Sequence, residues 1–361
     1  MKAAVMRVIG EPLRIEEIQI DRPGPREVLV RTLATGVCHS DLHILDGSLP
    51  NPLPTVLGHE PAGVVDTVGS EVRHVAPGDH VIGCLSAFCG TCEYCVSGRP
   101  YVCEGAATMR RADEPPRLSK DGETIAQFVH LSAFAERMLV HENALVKIRR
   151  DVPLDRVALI GCGVTTGLGA VFNTARVRPG ETAAIIGCGG IGLSVVQGCR
   201  IAGAGRIVAV DTVARKLDLA RQLGATDVVN AAEGNPVPAV VEMTGGGVEY
   251  AFEAIGLPAT VRQAVRMVRK GGTIVMIGVL PAGTNVELPG ADIVTRGKRI
   301  LGCMMGWNRF RIDMPRYVEL YRSGVLRLDE MISARLPLEQ VNDALEAMRH
   351  GTAARSVIVF Q

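Results

Sequence analysis

The second half of the chain alternates apolar strands with helical patterns, and this alternation restricts the possible folds more than any other feature. The predicted strands are Ala183–Gly187, Arg206–Asp211, Tyr250–Ala254 and Thr273–Gly278. The predicted helices lie between them, at about residues 190–203, 213–223 and 259–269. Continuously apolar strands that alternate with helices form a parallel sheet with both faces covered. We therefore predict an α/β domain with a doubly wound parallel sheet.

The two ends of the chain have a different texture. Residues 1 to about 160 contain short β-branched runs, such as Val28–Thr32 and Gly63–Val68, separated by Gly and Pro turn signals. The tail carries a helix candidate, Leu338–Arg349, and a final strand, Ser356–Phe360, that could pair with the N-terminal region. The length of 361 residues suits about two domains of roughly 150 residues each. The polar segment Met109–Gly122 is expected to be a surface loop.

Charge and composition exclude several functional classes. The net charge is 39 − 38 = +1, which argues against a nucleic-acid or anionic-membrane partner. The apolar fraction of 47% excludes a disordered chain. The start, Met1–Arg7, lacks a signal-peptide pattern. The apolar window Thr182–Cys199 contains five internal glycines, which fits a strand, a turn and a helix better than a membrane span. We therefore expect a cytoplasmic protein with no membrane partner.

A glycine-rich turn follows the first of the predicted strands. Residues Gly187–Gly192 fit the pattern G-x-G-x-x-G, and Asp211 ends the next strand, nineteen residues after Gly192. Such glycines let the backbone approach a pyrophosphate at a helix N-terminus, and the acid accepts hydrogen bonds from the ribose. The acid disfavours a 2′-phosphate, so NAD is the predicted cofactor, with NADP as the minor alternative. The predicted cofactor-binding residues are Gly187, Gly189, Gly190, Ile191, Gly192, Asp211 and Lys216.

Four cysteines lie close together, in the spacing C-x2-C-x2-C-x7-C. They are Cys89, Cys92, Cys95 and Cys103. Disulfides are rare in a cytoplasmic chain, so clustered cysteines are expected to be metal ligands. Four thiolates fill every position of a tetrahedral zinc ion and leave none for a substrate, which predicts a structural site. An iron–sulfur cluster is the alternative, although the x7 gap fits it less well.

Three further ligand-type residues stand far apart in the chain: Cys38, His59 and Cys162. Each one alone is compatible with a buried free cysteine or a core histidine. Their spacing does not link them to one another. From the residues alone, a second metal site therefore stays open.

Taken together, these segments resemble the medium-chain zinc-dependent alcohol dehydrogenases. The resemblance covers nearly the whole chain and includes the motif G-H-E-x-x-G at Gly58–Gly63, the four-cysteine segment and the glycine turn. It implies a β-rich, GroES-like catalytic domain formed by residues 1–163 and 305–361. It also implies a Rossmann cofactor domain formed by residues 164–304.

The resemblance further implies a catalytic zinc ion held by Cys38, His59 and Cys162, so that each chain would carry two zinc ions. Polyol-dehydrogenase relatives often have a glutamate at the position of Cys162, so the cysteine indicates the alcohol dehydrogenase branch. Asp41 would orient His59. Zinc lowers the pKa of bound water to about 7, and the same effect on an alcohol would favour hydride transfer to NAD.

Other residues take their expected roles from the same resemblance. Ser40 and His43 would relay the proton to solvent, and Glu60 would tune the metal or exchange as a transient ligand. Leu85 would line the substrate pocket in place of a bulky aromatic residue. The remaining expected cofactor contacts are His39, where many relatives carry an arginine, Thr166 and Arg355.

The expected function is an NAD-dependent zinc alcohol dehydrogenase acting on small-molecule alcohols or aldehydes. Leu85 and Ser40 leave space, which favours a primary alcohol with a bulky aromatic or allylic group. S-(hydroxymethyl)glutathione (formaldehyde) dehydrogenase is the alternative, but its substrate carboxylates need an arginine, and only Arg110 and Arg111 follow the cysteines closely. A non-catalytic structural or binding protein is an alternative of another class, which the seven retained zinc ligands disfavour. The segment Arg299–Cys303 resembles the family's subunit-pairing strand, so a homodimer or homotetramer is expected.

Overall fold

The computed structural model describes residues 1–351 and 354–360. Its strands are β1 (Lys2–Met6), β2 (Arg14–Glu17), β3 (Gln19–Ile20), β4 (Glu27–Gly36), β5 (Thr55–Val56), β6 (Glu60–Val68), β7 (His80–Gly83), β8 (Leu118–Lys120), β9 (Glu123–Gln127), β10 (Arg137–His141), β11 (Leu145–Ile148), β12 (Thr182–Ile186), β13 (Arg206–Asp211), β14 (Asp227–Asn230), β15 (Val248–Glu253), β16 (Val268–Met276), β17 (Arg299–Gly302), β18 (Ala334–Leu336) and β19 (Ser356–Val359). These strands divide between two compact units, Met1–Cys162 with Arg309–Gln361, and Gly163–Asn308.

Eleven α-helices accompany the strands in the described part of the chain. They are α1 (His39–Leu45), α2 (Glu93–Val96), α3 (Leu154–Val157), α4 (Gly163–Gly169), α5 (Gly190–Ile201), α6 (Ala214–Leu223), α7 (Pro236–Met243), α8 (Pro258–Met267), α9 (Gly290–Thr295), α10 (Phe310–Arg322) and α11 (Val341–Arg349). Among the described helices, none alone is long and apolar enough to span a membrane. The consecutive helical segments Leu154–Gly161 and Gly163–Ala175 meet that test only when they are taken together.

The first unit is built on two sheets. One has the strand order β2-β1-β5-β9-β8-β3, and the other has the order β11-β7-β6-β4-β19-β18, with β10 also paired to β4. Strand β19 runs antiparallel to β4, with Val357 opposite Gly36. The predicted return of the chain's tail to the N-terminal region is therefore confirmed. Cys38 lies just after β4 and His59 just before β6, so these two paired strands bring distant residues together.

The second unit is the predicted doubly wound sheet. Its six strands have the order β14-β13-β12-β15-β16-β17, and every neighbouring pair is parallel. Buried side chains of the central strands, such as Ile186, Val208 and Ile274, form its core with Val265 of α8. Burying one such aliphatic side chain contributes about 1.5–3 kcal/mol. The strand order changes direction between β12 and β15, and this change places a ligand crevice at the carboxyl ends of those strands.

One sequence prediction is confirmed only in part. Met109–Gly122 is irregular and mostly exposed up to Pro116, as predicted for a surface loop, but it includes β8 near its end and the Arg110 side chain is only 14% exposed. Helix α10 was not predicted, since Pro315 lies inside it and proline removes a backbone hydrogen bond from a helix interior. Buried Phe310, Met314 and Tyr317 anchor this helix, and their packing outweighs the lost bond.

Candidate metal centres and cofactor turn

Helix α1 begins immediately after Cys38 and is capped by Asp41. The Cys38 backbone N–H donates to Asp41 Oδ2 at 3.0 Å, and the Asp41 N–H donates to the Cys38 carbonyl at 3.0 Å. A carboxylate three residues into a helix satisfies N–H groups that the helix itself leaves unpaired. The cap thereby fixes the backbone of Cys38 relative to the helix.

Asp41 also reaches the segment that carries His59. Its Oδ1 atom accepts a hydrogen bond from the Gly58 N–H at 3.0 Å and lies 3.1 Å from His59 Nδ1. Asp41 and His59 are both fully buried. A carboxylate at Nδ1 keeps the proton on that nitrogen and turns the Nε2 lone pair towards a metal ion. The prediction that Asp41 orients His59 is therefore confirmed by this contact.

The buried residues Cys38, His59, Glu60 and Cys162 form one cluster. One ligand atom from each lies within 4.8 Å of the others. His59 Nε2 is buried and has no hydrogen-bond partner among the described residues. Nε2 faces two thiols and a carboxylate, and its buried lone pair has no electrophile to bind. A zinc ion, which Cys and His side chains commonly bind, would provide that electrophile. The donor set therefore fits a zinc ion.

The charges in this cluster agree with metal binding. A hydrogen bond from Cys162 lowers the pKa of the Cys38 thiol, and nearby His59 acts in the same direction against the effect of burial. Burial lowers the pKa of His59, but Asp41 and Cys38 outweigh it and leave that pKa well above its usual value. The pocket thus stabilises a positive charge beside the Cys38 thiolate. The same negative electrostatic potential favours a bound divalent cation.

Glu60 forms a buried ion pair with Arg355. Arg355 Nη2 contacts both carboxylate oxygens of Glu60, and Nη1 donates to the Val37 carbonyl at 3.3 Å. Burial raises the pKa of Glu60 to about 7, although Arg355 opposes the shift. Sequence reasoning missed this pair, because 295 residues separate its members. The roles of Glu60 at the metal and of Arg355 at the cofactor phosphates stay predictions.

The expected relay residues lie on α1. Ser40 Oγ is 3.9 Å from Cys38 Sγ, and Ser40 and His43 are both half-buried. The ring of exposed His39 and the ring of half-buried His43 meet edge to face, with centroids 6.4 Å apart. Residues three apart lie on one face of a helix, so Ser40 and His43 share a face of α1. Their catalytic roles, and the cofactor contact of His39, stay predictions.

Leu85 and Thr166 have ordinary structural surroundings in their own units. Leu85 is half-buried and packs against the hydrophobic cluster that includes Val28 and Leu131. Thr166 is buried in α4, and its hydroxyl donates to Met305 Sδ at 3.3 Å. The substrate-pocket role of Leu85 and the cofactor role of Thr166 stay predictions.

The four-cysteine lobe around α2 has the geometry of a single-ion site. Cys89 and Cys95 sulfurs are 3.9 Å apart, and Cys92 and Cys103 sulfurs are 3.7 Å apart. Sulfurs placed tetrahedrally about 2.3 Å from one zinc ion are about 3.8 Å from each other. Backbone N–H groups of Thr91 and of Cys92 lower the pKa of Cys89 to about 6. These spacings suit one zinc ion and are too short for a cluster of several irons.

The glycine turn lies at the carboxyl end of β12. A Cβ atom on Gly192 would be 1.7 Å from the Gly187 carbonyl oxygen, so this glycine lets α5 pack closely on the strand. A Cβ atom on Gly189 would meet nothing within 4 Å, so no described protein atom requires glycine there. Open space above a helix N-terminus is the cradle that a pyrophosphate needs.

Asp211, the last residue of the neighbouring strand β13, is hydrogen-bonded to the glycine turn. Its carboxylate accepts hydrogen bonds from the Cys188 N–H at 2.7 Å and from the Val213 N–H at 2.9 Å. These bonds hold the carboxylate beside the turn, where the spare lone pairs can accept ribose hydroxyls. Lys216 lies in the first turn of α6 and is half-buried. Gly190 and Ile191 form the first turn of α5.

The comparisons with known proteins agree with this geometry. The alcohol dehydrogenase GroES-like domain matches residues 24–150, and the zinc-binding dehydrogenase domain matches residues 190–322. The chain is 42% identical, over 99% of both chains, to S-(hydroxymethyl)glutathione dehydrogenase of Synechocystis sp.. It is 40% identical to alcohol dehydrogenase class-3 of Drosophila melanogaster, over 99% of this chain and 97% of that protein. The structure of benzyl alcohol dehydrogenase from Acinetobacter calcoaceticus matches with a TM-score of 0.94 and 34% identity, over 100% of this chain and 99% of the other. The chain therefore belongs to the zinc-dependent medium-chain alcohol dehydrogenase family.

Proposed function

We propose that the protein oxidises S-(hydroxymethyl)glutathione with NAD. The observation that carries this proposal is the full-length relative named S-(hydroxymethyl)glutathione dehydrogenase, which is 42% identical to this chain. The first sequence expectation, a bulky aromatic or allylic alcohol, has weaker support, because its solved relative is 34% identical. Both substrates are primary alcohols and use the same chemistry.

Each part of the buried cluster has a task in that chemistry. Zinc held by Cys38, His59 and Cys162 would act as a Lewis acid that lowers the pKa of the substrate hydroxyl. Ser40 would accept the hydroxyl proton while releasing its own hydroxyl proton into the relay, and His43, one turn later on α1, would pass a proton to solvent. The low exposure of the cluster excludes water, which strengthens its electrostatic interactions.

The cofactor is NAD in this proposal. The open space at Gly189 accommodates the pyrophosphate, and Asp211 accepts the ribose hydroxyls. A 2′-phosphate beside the Asp211 carboxylate would bring two negative charges together, so NADP should bind more weakly. Activity with NADP equal to that with NAD would contradict this assignment.

One observation favours the second candidate, a bulky alcohol. All five N–H donors of Arg110 are engaged by the protein itself, so this side chain cannot bind a substrate carboxylate. Its acceptors are both carboxylate oxygens of Glu27, Asp21 Oδ2 and the Arg22 and Pro115 carbonyls. Arg111 is 76% exposed and pairs loosely with Asp113 at 3.3 Å. In this segment, Arg111 is therefore the arginine left to meet the carboxylates of the glutathione adduct.

A substrate comparison on metal-quantified protein tests the proposal. We expect NADH formation from formaldehyde only when glutathione is present, with kcat/KM above that for benzyl alcohol, geraniol and ethanol. The Arg111→Ala variant should raise KM for the adduct and leave KM for benzyl alcohol unchanged. Arg149→Ala, which removes another exposed ion-paired arginine, is the matched control. Faster turnover of benzyl alcohol or geraniol, with no glutathione-dependent reaction, would replace the proposal by the second candidate.

Association through β17 is proposed as the basis of a dimer. Among the described strands, β17 pairs with β16 alone, so its other edge is open to a second copy. The Cys303 N–H donates to the Met276 carbonyl of β16, so the Leu301 N–H, two residues earlier, also faces β16, whereas the Ile300 N–H faces the open edge. Proline cannot donate to a sheet, so Ile300→Pro should convert the dimer to a monomer in light scattering. An unchanged mass would refute pairing at this edge.

A further inference from the structure

The turn after β9 has an unusual backbone. Three non-glycine residues within it have positive φ: Val129 at 42°, His130 at 66° and Ser132 at 61°. Such values are uncommon for any non-glycine residue, and for a β-branched valine they mark a genuine outlier. Strained residues persist only where their surroundings over-determine them, and they concentrate at functional sites.

The surroundings of this turn fix it from several sides. Phe128 packs into the core cluster that contains Val37 and Leu57, whereas Leu131 packs into the cluster that contains Val30 and Val140. Two side chains only three residues apart must therefore enter different parts of the interior. The left-handed backbone of Val129, His130 and Ser132 lets the chain reverse its direction within these few residues.

A single hydroxyl ties the turn to the segment that carries His59. Ser132 Oγ accepts the Phe128 N–H at 3.0 Å and donates to the Val56 carbonyl at 2.8 Å. The next residue adds a second link between the turn and the segment before His59, because the Ala133 N–H donates to the Gly58 carbonyl at 2.8 Å. Phe128 and the backbone before His59 are thus held at a fixed separation.

Phe128 touches His59 directly. The two rings meet edge to face, with centroids 5.4 Å apart and an interplanar angle of 83°. Asp41 holds the Nδ1 end of the His59 ring by a hydrogen bond, but one bond leaves the ring free to rotate about that contact. The Phe128 ring blocks this rotation. Together the two contacts fix both the direction and the plane of the imidazole.

We propose that Phe128 and Ser132 are positioning residues that hold the His59 ring in the plane required for Nε2 to bind the catalytic zinc. Phe128 acts on the ring, and Ser132 acts through Phe128 and Val56. The strained turn is the device that brings them together. This inference depends on the zinc site and is independent of the choice of alcohol substrate.

The rate of zinc release tests this positioning role without an activity measurement. Purified protein with two zinc ions is mixed with the chelator 4-(2-pyridylazo)resorcinol, and the released metal is followed with time. Differential alkylation of Cys38 and Cys162 against Cys89 and Cys103 identifies which site has lost its ion. Residues that orient metal ligands typically change metal affinity about 10–100-fold. We expect Phe128→Leu and Ser132→Ala each to release the catalytic zinc at least about tenfold faster, with the four-cysteine zinc retained.

Two comparisons separate positioning from general packing. Phe252→Leu removes a fully buried ring that stacks on Tyr250 in the other unit, and it should leave zinc release unchanged. The double variant of Phe128 and Ser132 should release zinc no faster than the worse single variant, because both act through one contact. If Ser132→Ala fails to fold, Phe128→Leu alone decides the question. Release within twofold of the wild-type rate, or equal acceleration in Phe252→Leu, would overturn the proposal.

Discussion

Two alanine substitutions in one glycine turn should separate cofactor binding from folding. In Gly192→Ala the new methyl group would lie 1.7 Å from the Gly187 carbonyl oxygen, so helix α5 must move away from its strand. Overpacking of this kind typically costs about 1–3 kcal/mol, and a backbone obstacle places the cost at the upper end. In Gly189→Ala the methyl group meets no heavy atom within 4 Å, and the backbone φ of −77° suits alanine.

The stability of Gly189→Ala follows from two small opposing effects. Alanine is a poorer N-cap than glycine, which destabilises the folded state. Alanine also lowers the entropy of the unfolded chain, which stabilises the protein by about 0.4–1 kcal/mol. The free energy of unfolding should therefore stay within about 1 kcal/mol of the wild type. The same methyl group occupies the cradle for the pyrophosphate, so the Kd for NADH should rise at least about tenfold, or about 1.4 kcal/mol.

The assay combines urea unfolding with calorimetric titration of NADH. We expect Gly189→Ala to lose binding and keep stability, and Gly192→Ala to lose about 3 kcal/mol of stability. If Gly189→Ala binds NADH as tightly as the wild type, the pyrophosphate does not lie at this turn. If Gly192→Ala is as stable as the wild type, the argument from close helix packing is wrong.

Two further predictions concern the first unit. Cys103→Ser should leave one zinc ion per chain and lower Tm while the remaining folded protein keeps its turnover, because the four-cysteine site is structural; loss of turnover without loss of stability would contradict this. Burial raises the pKa of Glu27, but hydrogen bonds from Arg110, from the Gly24 N–H and from Arg117 together outweigh it and lower the value to about 2. The carboxylate should thus contribute about 3 kcal/mol above its unfolded pKa of about 4.3, and lose this contribution as the pH falls towards 2. Glu27→Gln should flatten acid unfolding in that range, and an unchanged profile would refute the assignment.

The second unit was largely predictable because its pattern is local. Strand β13 agrees with the prediction residue for residue, since a continuous apolar run ends at an acid and is followed by a helix. The tail strand was predicted to within one residue at its end, and its pairing with β4 is confirmed. Helix α10 was missed because Pro315 is a local signal against a helix, whereas its stabilising contacts come from distant residues.

The catalytic cluster was only partly predictable. The four-cysteine site has a local spacing. Cys38 and His59 are instead joined by the pairing of β4 with β6, and Cys162 comes from the end of the short helix Ala158–Gly161, which no spacing encodes. Their association therefore required resemblance to a family. Contacts such as Arg355 with Glu60 link distant segments through buried charge, and periodicity carries no information about such contacts.

The catalytic centre is tested most directly by measuring the zinc content and the rate of NADH formation of the wild-type protein and of Cys162→Ser. The wild type should contain two zinc ions per chain and should reduce NAD with its alcohol substrate. Cys162→Ser should keep the zinc of the four-cysteine lobe, remain folded and form NADH no faster than the uncatalysed background. Full turnover by Cys162→Ser would contradict the assignment of Cys38, His59 and Cys162 as the catalytic centre.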